Sequence, residues 1–315
     1  MYRRILFTQV FIGLAVRLAC GLDLKSFGVL NFRPALIGAS PADRGIYRSA
    51  SLDSITVEGT SSLLPSLACV VDLRNLDEIS KGAAVRSEGA TLLYSQLQCP
   101  EDNNDGPRLY HVPLLEDVDA FWEEAIRRMP PAQRIMATLN TIFTNGALDR
   151  AAARHLEDGG LPLLYLIMLA TAPAAIKSAL EICLAEGKRG QVIFHCQKGK
   201  DRTGVIAMFL AALAGCSDTE IVDSYSESGP LIGEGDGDDY ARETLLDQQK
   251  KKSSSAKISW SYFRGSPKKV MVGTLAGVRS EYGSVDSYLD RAGFDTTKRA
   301  ALKKVLFQDT SVAQL

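Results

Sequence analysis

Residues 192–209, VIFHCQKGKDRTGVIAMF, join one apolar run to another through a short polar loop. The first run is rich in β-branched residues and predicts a buried strand that ends at His195. The second predicts a helix that begins at Thr203 and is apolar on nearly all its faces. Because a loop entering a helix N-terminus gathers unpaired N–H groups and the positive end of the helix dipole, the segment between Cys196 and Arg202 predicts an anion site.

The loop residues favour phosphate as the anion. Gly199 lets the backbone curl so that successive N–H groups can point inward. Lys198 and Lys200 add positive charge, and Arg202 adds a planar fork that can bind two phosphate oxygens at once. A Walker nucleotide loop is excluded, because its first glycine is absent and Asp201 stands where that motif requires Ser or Thr.

Cys196 is the candidate nucleophile of this site. A thiol at a helix N-terminus and beside cations has a lowered pKa, so we expect a thiolate at neutral pH. The chemistry that this permits is in-line attack on a phosphate monoester, with a phosphocysteine that water later hydrolyses. Arg202 and the loop amides would then stabilise the charge on the equatorial oxygens in the transition state.

The same C-x5-R spacing occurs a second time, from Cys183 to Arg189. There the cysteine lies in the last turn of a predicted helix, where the negative end of the dipole disfavours a thiolate. We therefore interpret Cys183 as a structural residue and Arg189 as a surface residue.

The rest of the chain predicts an α/β fold with a mainly parallel central sheet flanked by helices. The candidate strands are residues 46–50, 67–73, 91–97, 108–114 and 191–195. A helical insertion, about residues 119–186, precedes the last strand. Within it, residues 161–174 are apolar on all faces, which favours a core helix over a mobile lid. Residues 23–315 are predicted to form a single domain.

Two segments are predicted to lie outside the core. Residues 1–22 hold basic residues and an apolar run too short to span a bilayer, so they are either a targeting segment or an extension. Residues 233–257 are acidic and glycine-rich, then lysine- and serine-rich, and predict a solvated, flexible loop. Its Lys250–Lys252 run is interpreted as exposed, with contact to an anionic lipid as the alternative.

Charge and cysteine usage limit the expected partners. The chain has 36 basic and 37 acidic residues, so no global charge favours nucleic acid, and any electropositive site must be local. The six cysteines form no C-x-x-C pair and no cluster with His at metal-ligand spacing. We expect no metal, no cofactor and no stable membrane span. A cytoplasmic location is expected, with secretory or organelle targeting as the alternative, and the oligomeric state stays open.

The string HCQKGKDRTG (195–204) resembles the signature of the cysteine-dependent protein-tyrosine-phosphatase superfamily, and more narrowly its tyrosine/serine phosphatase-like family of bacterial enzymes. Further stretches follow in the order that family shows: LNFRP (30–34), IYRSASL (46–52), VVDLRNLDEI (70–79), YHVPL (110–114) and YGSVDSYLDRAGF (282–294). The resemblance covers roughly residues 24–305 and implies a protein-tyrosine-phosphatase-like fold that needs no cofactor.

The resemblance also implies roles for individual residues. Cys196 is the nucleophile, Arg202 clamps the phosphate, Thr203 steadies the thiolate, and His195 orients the loop through hydrogen bonds. The residues implied to bind the substrate phosphate are Gln197, Lys198, Gly199, Lys200, Thr203 and Gly204.

The general acid is open between two aspartates. A leaving phenolate or alkoxide needs a proton. Asp201 lies inside the loop, as in the family, whereas Asp117 follows the fourth predicted strand, where ordinary tyrosine phosphatases carry their acid; we favour Asp201. Asp72 of the DLR motif is either a buttress of the site or a plain partner of Arg74 or Arg48.

The substrate is open as well. The resemblance implies hydrolysis of protein phosphotyrosine, with phosphoserine and phosphothreonine as further substrates. Lys198 and Lys200 place two cations around one phosphate, and Lys200 resembles the loop lysine of phosphoinositide phosphatases, so a phosphoinositide is the alternative. A phosphate-binding adaptor without turnover is a further one. A redox enzyme is disfavoured, because Cys216, the nearest cysteine that could resolve a disulfide, lies beyond the helix.

Overall fold

The computed structural model describes residues 27–36, 45–102, 105–233 and 263–307. The interpretations of residues 1–22, of most of the loop at 233–257 and of its lysine run lie outside these described residues. The single domain over residues 23–315 stays a prediction.

A mixed sheet forms the centre of the fold. Its strands in the described residues are β1 (Arg33–Pro34), β2 (Ile46–Ser49), β3 (Leu67–Asp72), β4 (Arg108–His111) and β5 (Gln191–His195). They lie in the order β1-β2-β5-β3-β4, and only the β1–β2 pair is antiparallel among these strands. The predicted α/β class with a mainly parallel sheet is confirmed.

Helices cover both faces of the sheet. They are α1 (Val57–Leu63), α2 (Leu76–Ala83), α3 (Glu88–Gln96), α4 (Val118–Arg128), α5 (Pro131–Asn140), α6 (Ala147–Thr171), α7 (Pro173–Glu186), α8 (Arg202–Ala214), α9 (Asp218–Ser226), α10 (Ser228–Ile232), α11 (Lys268–Tyr282), α12 (Val285–Arg291) and α13 (Thr296–Phe307). Successive side chains of β5 point to opposite faces of the sheet and pack into two different apolar clusters. Val192 and Phe194 pack with α6, α7 and α8, whereas Ile193 packs with α1 and α3. β5 is therefore buried on both faces.

The predicted strand at residues 91–97 is wrong, because this stretch belongs to α3. Ser87 caps that helix by accepting a hydrogen bond from the N–H of Ala90 (3.0 Å). Ala90 and Leu93 are fully buried three residues apart, which is a helical spacing. The apolar composition of the stretch suggested a strand, whereas the cap and the spacing determine a helix.

The helical insertion comprises α4 to α7, between β4 and β5. α6 is kinked at Gly160 (φ 58°, ψ −153°), and its second half buries Leu164, Tyr165 and Met168 among other side chains. This half is a core helix, as its continuous apolarity predicted. Among the described helices none is by itself long and apolar enough to cross a membrane, and α6 and α7 meet such a criterion only as a pair, with an 83° bend between them.

Candidate active site

The loop between β5 and α8 lies at the carboxyl edge of the sheet, where ligands of open α/β sheets bind. It begins at Cys196, directly after the central strand, and ends where α8 begins at Arg202. α8 starts one residue earlier than predicted and is buried throughout its first turns. The structure thus brings the nucleophile and the arginine of the sequence prediction to one buried helix N-terminus.

Three consecutive loop carbonyls, those of residues 197–199, are bonded to the surrounding scaffold. The first accepts a hydrogen bond from the Ser51 N–H (3.1 Å), and the second from the side-chain amide of Asn31 (3.2 Å). The third accepts from that same amide (2.8 Å) and from the Arg48 guanidinium (2.8 Å). Because these carbonyls bond to the scaffold, the loop N–H groups can point to the opposite side and form a concave anion site.

Gly199 is required by this loop for two reasons. Its φ is +66°, a backbone conformation that residues with a Cβ rarely adopt. A Cβ at this position would also lie 2.4 Å from the Ser49 carbonyl and 2.6 Å from the Ala50 nitrogen. The glycine therefore allows the loop to pack directly against the end of β2.

Cys196 is buried, with 1% of its surface exposed, and it interacts electrostatically with the guanidinium groups of Arg48 and Arg202. Burial lowers the pKa of Arg48 to about 10, and the charge of a Cys196 thiolate is the largest influence that raises it again. Burial also lowers the pKa of Arg202, but the charges of Glu78 and of Cys196 raise it above its ordinary value. Both arginines are thus close enough to interact with the sulfur.

The hydroxyl of Thr203, which the resemblance implies steadies the thiolate, does not do so in this structure. Its Oγ1 is buried and has no hydrogen-bond partner within the described part of the chain. The side chain is nevertheless fully buried at the start of α8. The predicted contact to Cys196 is therefore not formed.

Arg202 is oriented by Glu78, a residue that the sequence did not reveal. Nη1 and Nη2 of Arg202 donate to the two carboxylate oxygens of Glu78 (2.5 and 2.7 Å), and Nη1 also donates to Asn75 Oδ1 (3.2 Å). Glu78 is the third residue of α2, and its Oε2 also accepts from the Asn75 N–H (3.0 Å). The N-x-x-E spacing of a helix cap was visible at residues 75–78, but nothing in it indicated a partner 124 positions away.

Asp72 pairs with Arg74, which decides between the alternatives for this residue. It accepts hydrogen bonds from the Arg74 N–H (3.0 Å), Nε (2.9 Å) and Nη2 (2.7 Å). Arg74 also donates to Asp53 (2.5 Å) and to Ser51, which holds the loop carbonyl described above. Asp72 therefore supports the site indirectly, through this buried network.

His195 is fully buried and does not hold the loop through strong hydrogen bonds. Its Nδ1 lies 3.4 Å from the Cys196 carbonyl, and its Nε2 has no hydrogen-bond partner among the described residues, although it lies 3.7 Å from Asp72. Burial lowers the pKa of His195, so the ring is neutral at neutral pH. Of the hydrogen bonds by which His195 was predicted to orient the loop, the described residues show one long contact, to the Cys196 carbonyl.

Lys200 is directed away from an incoming phosphate. Its ammonium group contacts the carbonyls of Phe263 (3.1 Å) and Gly265 (2.9 Å) and the carboxylate oxygen Oδ1 of Asp201 (3.0 Å). Three acceptors match the three N–H donors of a lysine, and only 3% of this residue is exposed. The ammonium group of Lys200 therefore ties the loop to residues 263–265, and binding of the substrate phosphate by this residue stays a prediction.

The two candidate acids lie in different surroundings. Asp201 is part of the loop, and Oδ1 accepts a hydrogen bond from the Tyr165 hydroxyl (2.6 Å), while 26% of the side chain is exposed. Asp117 caps α4 by accepting from the Ala120 N–H (2.9 Å). Asp201 directly precedes Arg202 at the start of α8, whereas Asp117 lies at the start of α4, and the choice of Asp201 as the general acid stays a prediction.

The remaining predicted residues also lie at the loop. Gln197 Oε1 is buried without a hydrogen-bond partner in the described ranges, and Lys198 contributes its carbonyl to the contact with Asn31. Gly204 packs against the Tyr225 ring, because a Cβ at this position would lie 3.3 Å from the ring atom Cδ2. No group of three His, Cys, Asp or Glu side chains that could hold a metal is present in the described residues.

A second layer of residues was missed by sequence reasoning. Asn31 has a positive φ of 57°, and Arg33 donates to its side-chain oxygen. Arg33 also donates to Ser224 O (2.8 Å) and Ser228 Oγ (3.0 Å). Asn31 and Arg33 belong to a stretch that resembles the family, but the hydrogen bond from the Asn31 amide to a loop carbonyl 168 residues later could not be predicted from the sequence.

Comparison with known proteins agrees with this site. A sequence profile described as "Tyrosine phosphatase family" matches residues 35–308. A tyrosine-protein phosphatase of Nostoc commune is 31% identical over 126 residues, which is 40% of this chain and 42% of the relative. The chain thus matches less than half of that relative's length. The profile, however, extends from just after β1 to the end of α13 and takes in β2 to β5 and the loop between β5 and α8, so the chain belongs to the tyrosine phosphatase family.

Proposed function

We propose that this chain hydrolyses protein phosphotyrosine through a phosphocysteine at Cys196. The observation that carries the proposal is the buried thiol at the base of a loop whose carbonyls at residues 197–199 are bonded to the surrounding scaffold. Its N–H groups and Arg202 can then bind the phosphate oxygens and stabilise their charge as it develops. Membership of the tyrosine phosphatase family supports phosphatase activity.

The reaction proceeds in two balanced steps. The Cys196 sulfur attacks phosphorus while the bond to the tyrosine oxygen breaks, and Asp201 gives its proton to that oxygen, so that a neutral phenol leaves. Asp201 then takes a proton from a water molecule as this water attacks the phosphocysteine. The phosphorus–sulfur bond breaks, inorganic phosphate leaves, and the thiolate and the protonated acid are restored.

Two features favour phosphotyrosine over the alternatives. Lys200, the cation that suggested a phosphoinositide, has all three N–H donors directed to acceptors of the protein and has none for a second phosphate. The nucleophile is 1% exposed, so the phosphorus must reach below the surface. A phosphotyrosyl side chain is longer than phosphoserine or phosphothreonine and reaches such a depth more readily.

The test is a matched panel of phosphotyrosine, phosphothreonine and inositol phosphate substrates, with p-nitrophenyl phosphate as a general reporter. We expect Cys196→Ser to abolish phosphate release. Cys183→Ser is the matched control, because it removes the thiol of the second C-x5-R copy, which lies at the end of α7 and whose pKa burial raises to about 12. This control should keep its activity.

Three outcomes would contradict the proposal. Turnover by Cys196→Ser would exclude the nucleophile. Faster hydrolysis of inositol phosphates than of phosphotyrosine would favour the phosphoinositide alternative. Tight phosphopeptide binding by the unmutated protein without phosphate release would favour the adaptor.

A further inference from the structure

The helical insertion contacts the candidate acid through one buried hydroxyl. Tyr165 lies in the second half of α6, beyond the kink at Gly160, and is fully buried. Its hydroxyl donates to Asp201 Oδ1 at 2.6 Å and lies 2.8 Å from the hydroxyl of Tyr225 in α9. Two helices distant in sequence thus meet at the acid of the catalytic loop.

The direction of these hydrogen bonds follows from the available protons. Tyr165 has a single hydroxyl proton, which it donates to Asp201, so Tyr225 must donate its own proton to the Tyr165 oxygen. Burial, followed by the charge of Asp201, raises the pKa of both tyrosines above the ordinary value. Both therefore keep their protons at neutral pH, and the chain runs from Tyr225 through Tyr165 to Asp201.

The contacts of the Asp201 carboxyl group are asymmetric. In the described part of the chain, the hydroxyl of Tyr165 (2.6 Å) and the ammonium of Lys200 (3.0 Å) both approach Oδ1. An oxygen that already accepts from two donors cannot also carry the acidic proton, since that proton would oppose them. The transferable proton therefore belongs on Oδ2, and the two donors prevent the carboxyl group from rotating.

We propose that Tyr165 is a positioning residue for proton transfer by Asp201. By donating to Oδ1, it holds the carboxyl group so that Oδ2 presents its proton to the leaving oxygen. Tyr165 keeps its own proton throughout, and only the Oδ2 proton moves. This inference rests on the proposed function, and it makes the insertion helix a part of the catalytic machinery.

The experiment compares Tyr165→Phe with Tyr288→Phe. Tyr288 is the matched control, because its buried hydroxyl donates to the same helix, at the Leu169 carbonyl (2.9 Å), and does not contact Asp201. The substrates are aryl phosphates from 2,4-dinitrophenyl to phenyl phosphate, whose leaving groups need a proton to very different degrees. The measured quantities are kcat and KM for each ester.

For Tyr165→Phe we expect kcat/KM to fall about tenfold on phenyl phosphate, as for the loss of one hydrogen bond to a charged group. The dinitrophenyl ester should be hardly affected, because its leaving group departs without a proton, and KM should not change. In an Asp201→Asn background, Tyr165→Phe should have no further effect, because it acts through the missing acid. Tyr288→Phe should change all esters by the same factor.

A loss of equal size on all esters, or a full loss in the Asp201→Asn background, would overturn the role of Tyr165. If Tyr165→Phe does not fold, Tyr225→Phe decides in the same way: a smaller loss selective for phenyl phosphate supports the proposal, and a uniform effect overturns it. Failure of the proposed function looks different, since unmutated protein would then hydrolyse none of the esters or Cys196→Ser would remain active. In that case both proposals fall.

Discussion

The ion pair between Glu78 and Arg202 provides the most specific prediction. Glu78→Gln keeps the shape of the side chain and one acceptor oxygen, and glutamine at the third helical position can still accept from the Asn75 N–H. It removes the negative charge, and its amide nitrogen faces the Arg202 guanidinium. The perturbation therefore leaves the helix cap in place and leaves a buried arginine without its charge partner.

The magnitude follows from the burial of the pair. Glu78 is 1% exposed and Arg202 is 5% exposed, so solvent does not screen the lost charge. Removing one partner of such a pair costs about 3 kcal/mol in the free energy of unfolding, which lowers Tm by about 5 °C in a protein of this size. Because Arg202 also loses its orientation toward the phosphate, kcat/KM should fall about 10- to 100-fold.

The assays are thermal unfolding by circular dichroism and steady-state hydrolysis of p-nitrophenyl phosphate, well below Tm. Glu220→Gln is the matched control, because Glu220 is the third residue of α9 and caps Ser217 in the same way but is exposed and has no arginine partner among the described residues. It should leave Tm and kcat/KM unchanged. If Glu78→Gln behaves like Glu220→Gln, the reasoning that this ion pair orients Arg202 is refuted.

Three further predictions concern the scaffold of the site. Gly199→Ala should abolish turnover and vanadate binding, because its Cβ would lie 2.4 Å from the β2 backbone, whereas Gly215→Ala, also at a positive φ but with its nearest neighbour 3.6 Å away, should stay active; equal activity losses would contradict this. Asn31→Ala removes the amide that bonds to two loop carbonyls and should weaken vanadate binding about tenfold, as measured by inhibition, without a comparable loss of Tm; unchanged inhibition would show that the amide does not shape the loop. Burial raises the pKa of Asp53, but the Arg74 charge holds it below its ordinary value, so this residue stabilises the fold above about pH 4 and loses that contribution as pH falls further. Asp53→Asn should therefore flatten the acid side of a plot of unfolding free energy against pH. An unchanged plot would exclude the Asp53–Arg74 pair as the source of that pH dependence.

Local patterns predicted the centre of the fold and of the site. The β-branched run before Cys196 and the all-round apolar helix after it specify a buried strand, a loop and a buried helix, because each is determined by the period of its own residues. The strand at residues 91–97 was mispredicted since a short apolar run resembles either element, and the Ser87 cap lies outside it. The contacts of the Lys200 ammonium group were not predicted for another reason: its acceptors at residues 263–265 are remote in sequence.

The sequence by itself determined which residues bear the proposed chemistry: a cysteine at a strand end, an arginine at a helix start and a glycine between them. These depend on neighbours in the chain, whose dipoles and conformations are local properties. Only the tertiary structure decided what holds them in place, with Asn31 on the loop carbonyls, Glu78 on Arg202 and Tyr165 on Asp201. Such contacts depend on which side chains the packed sheet and helices bring together, and no spacing along the chain encodes that.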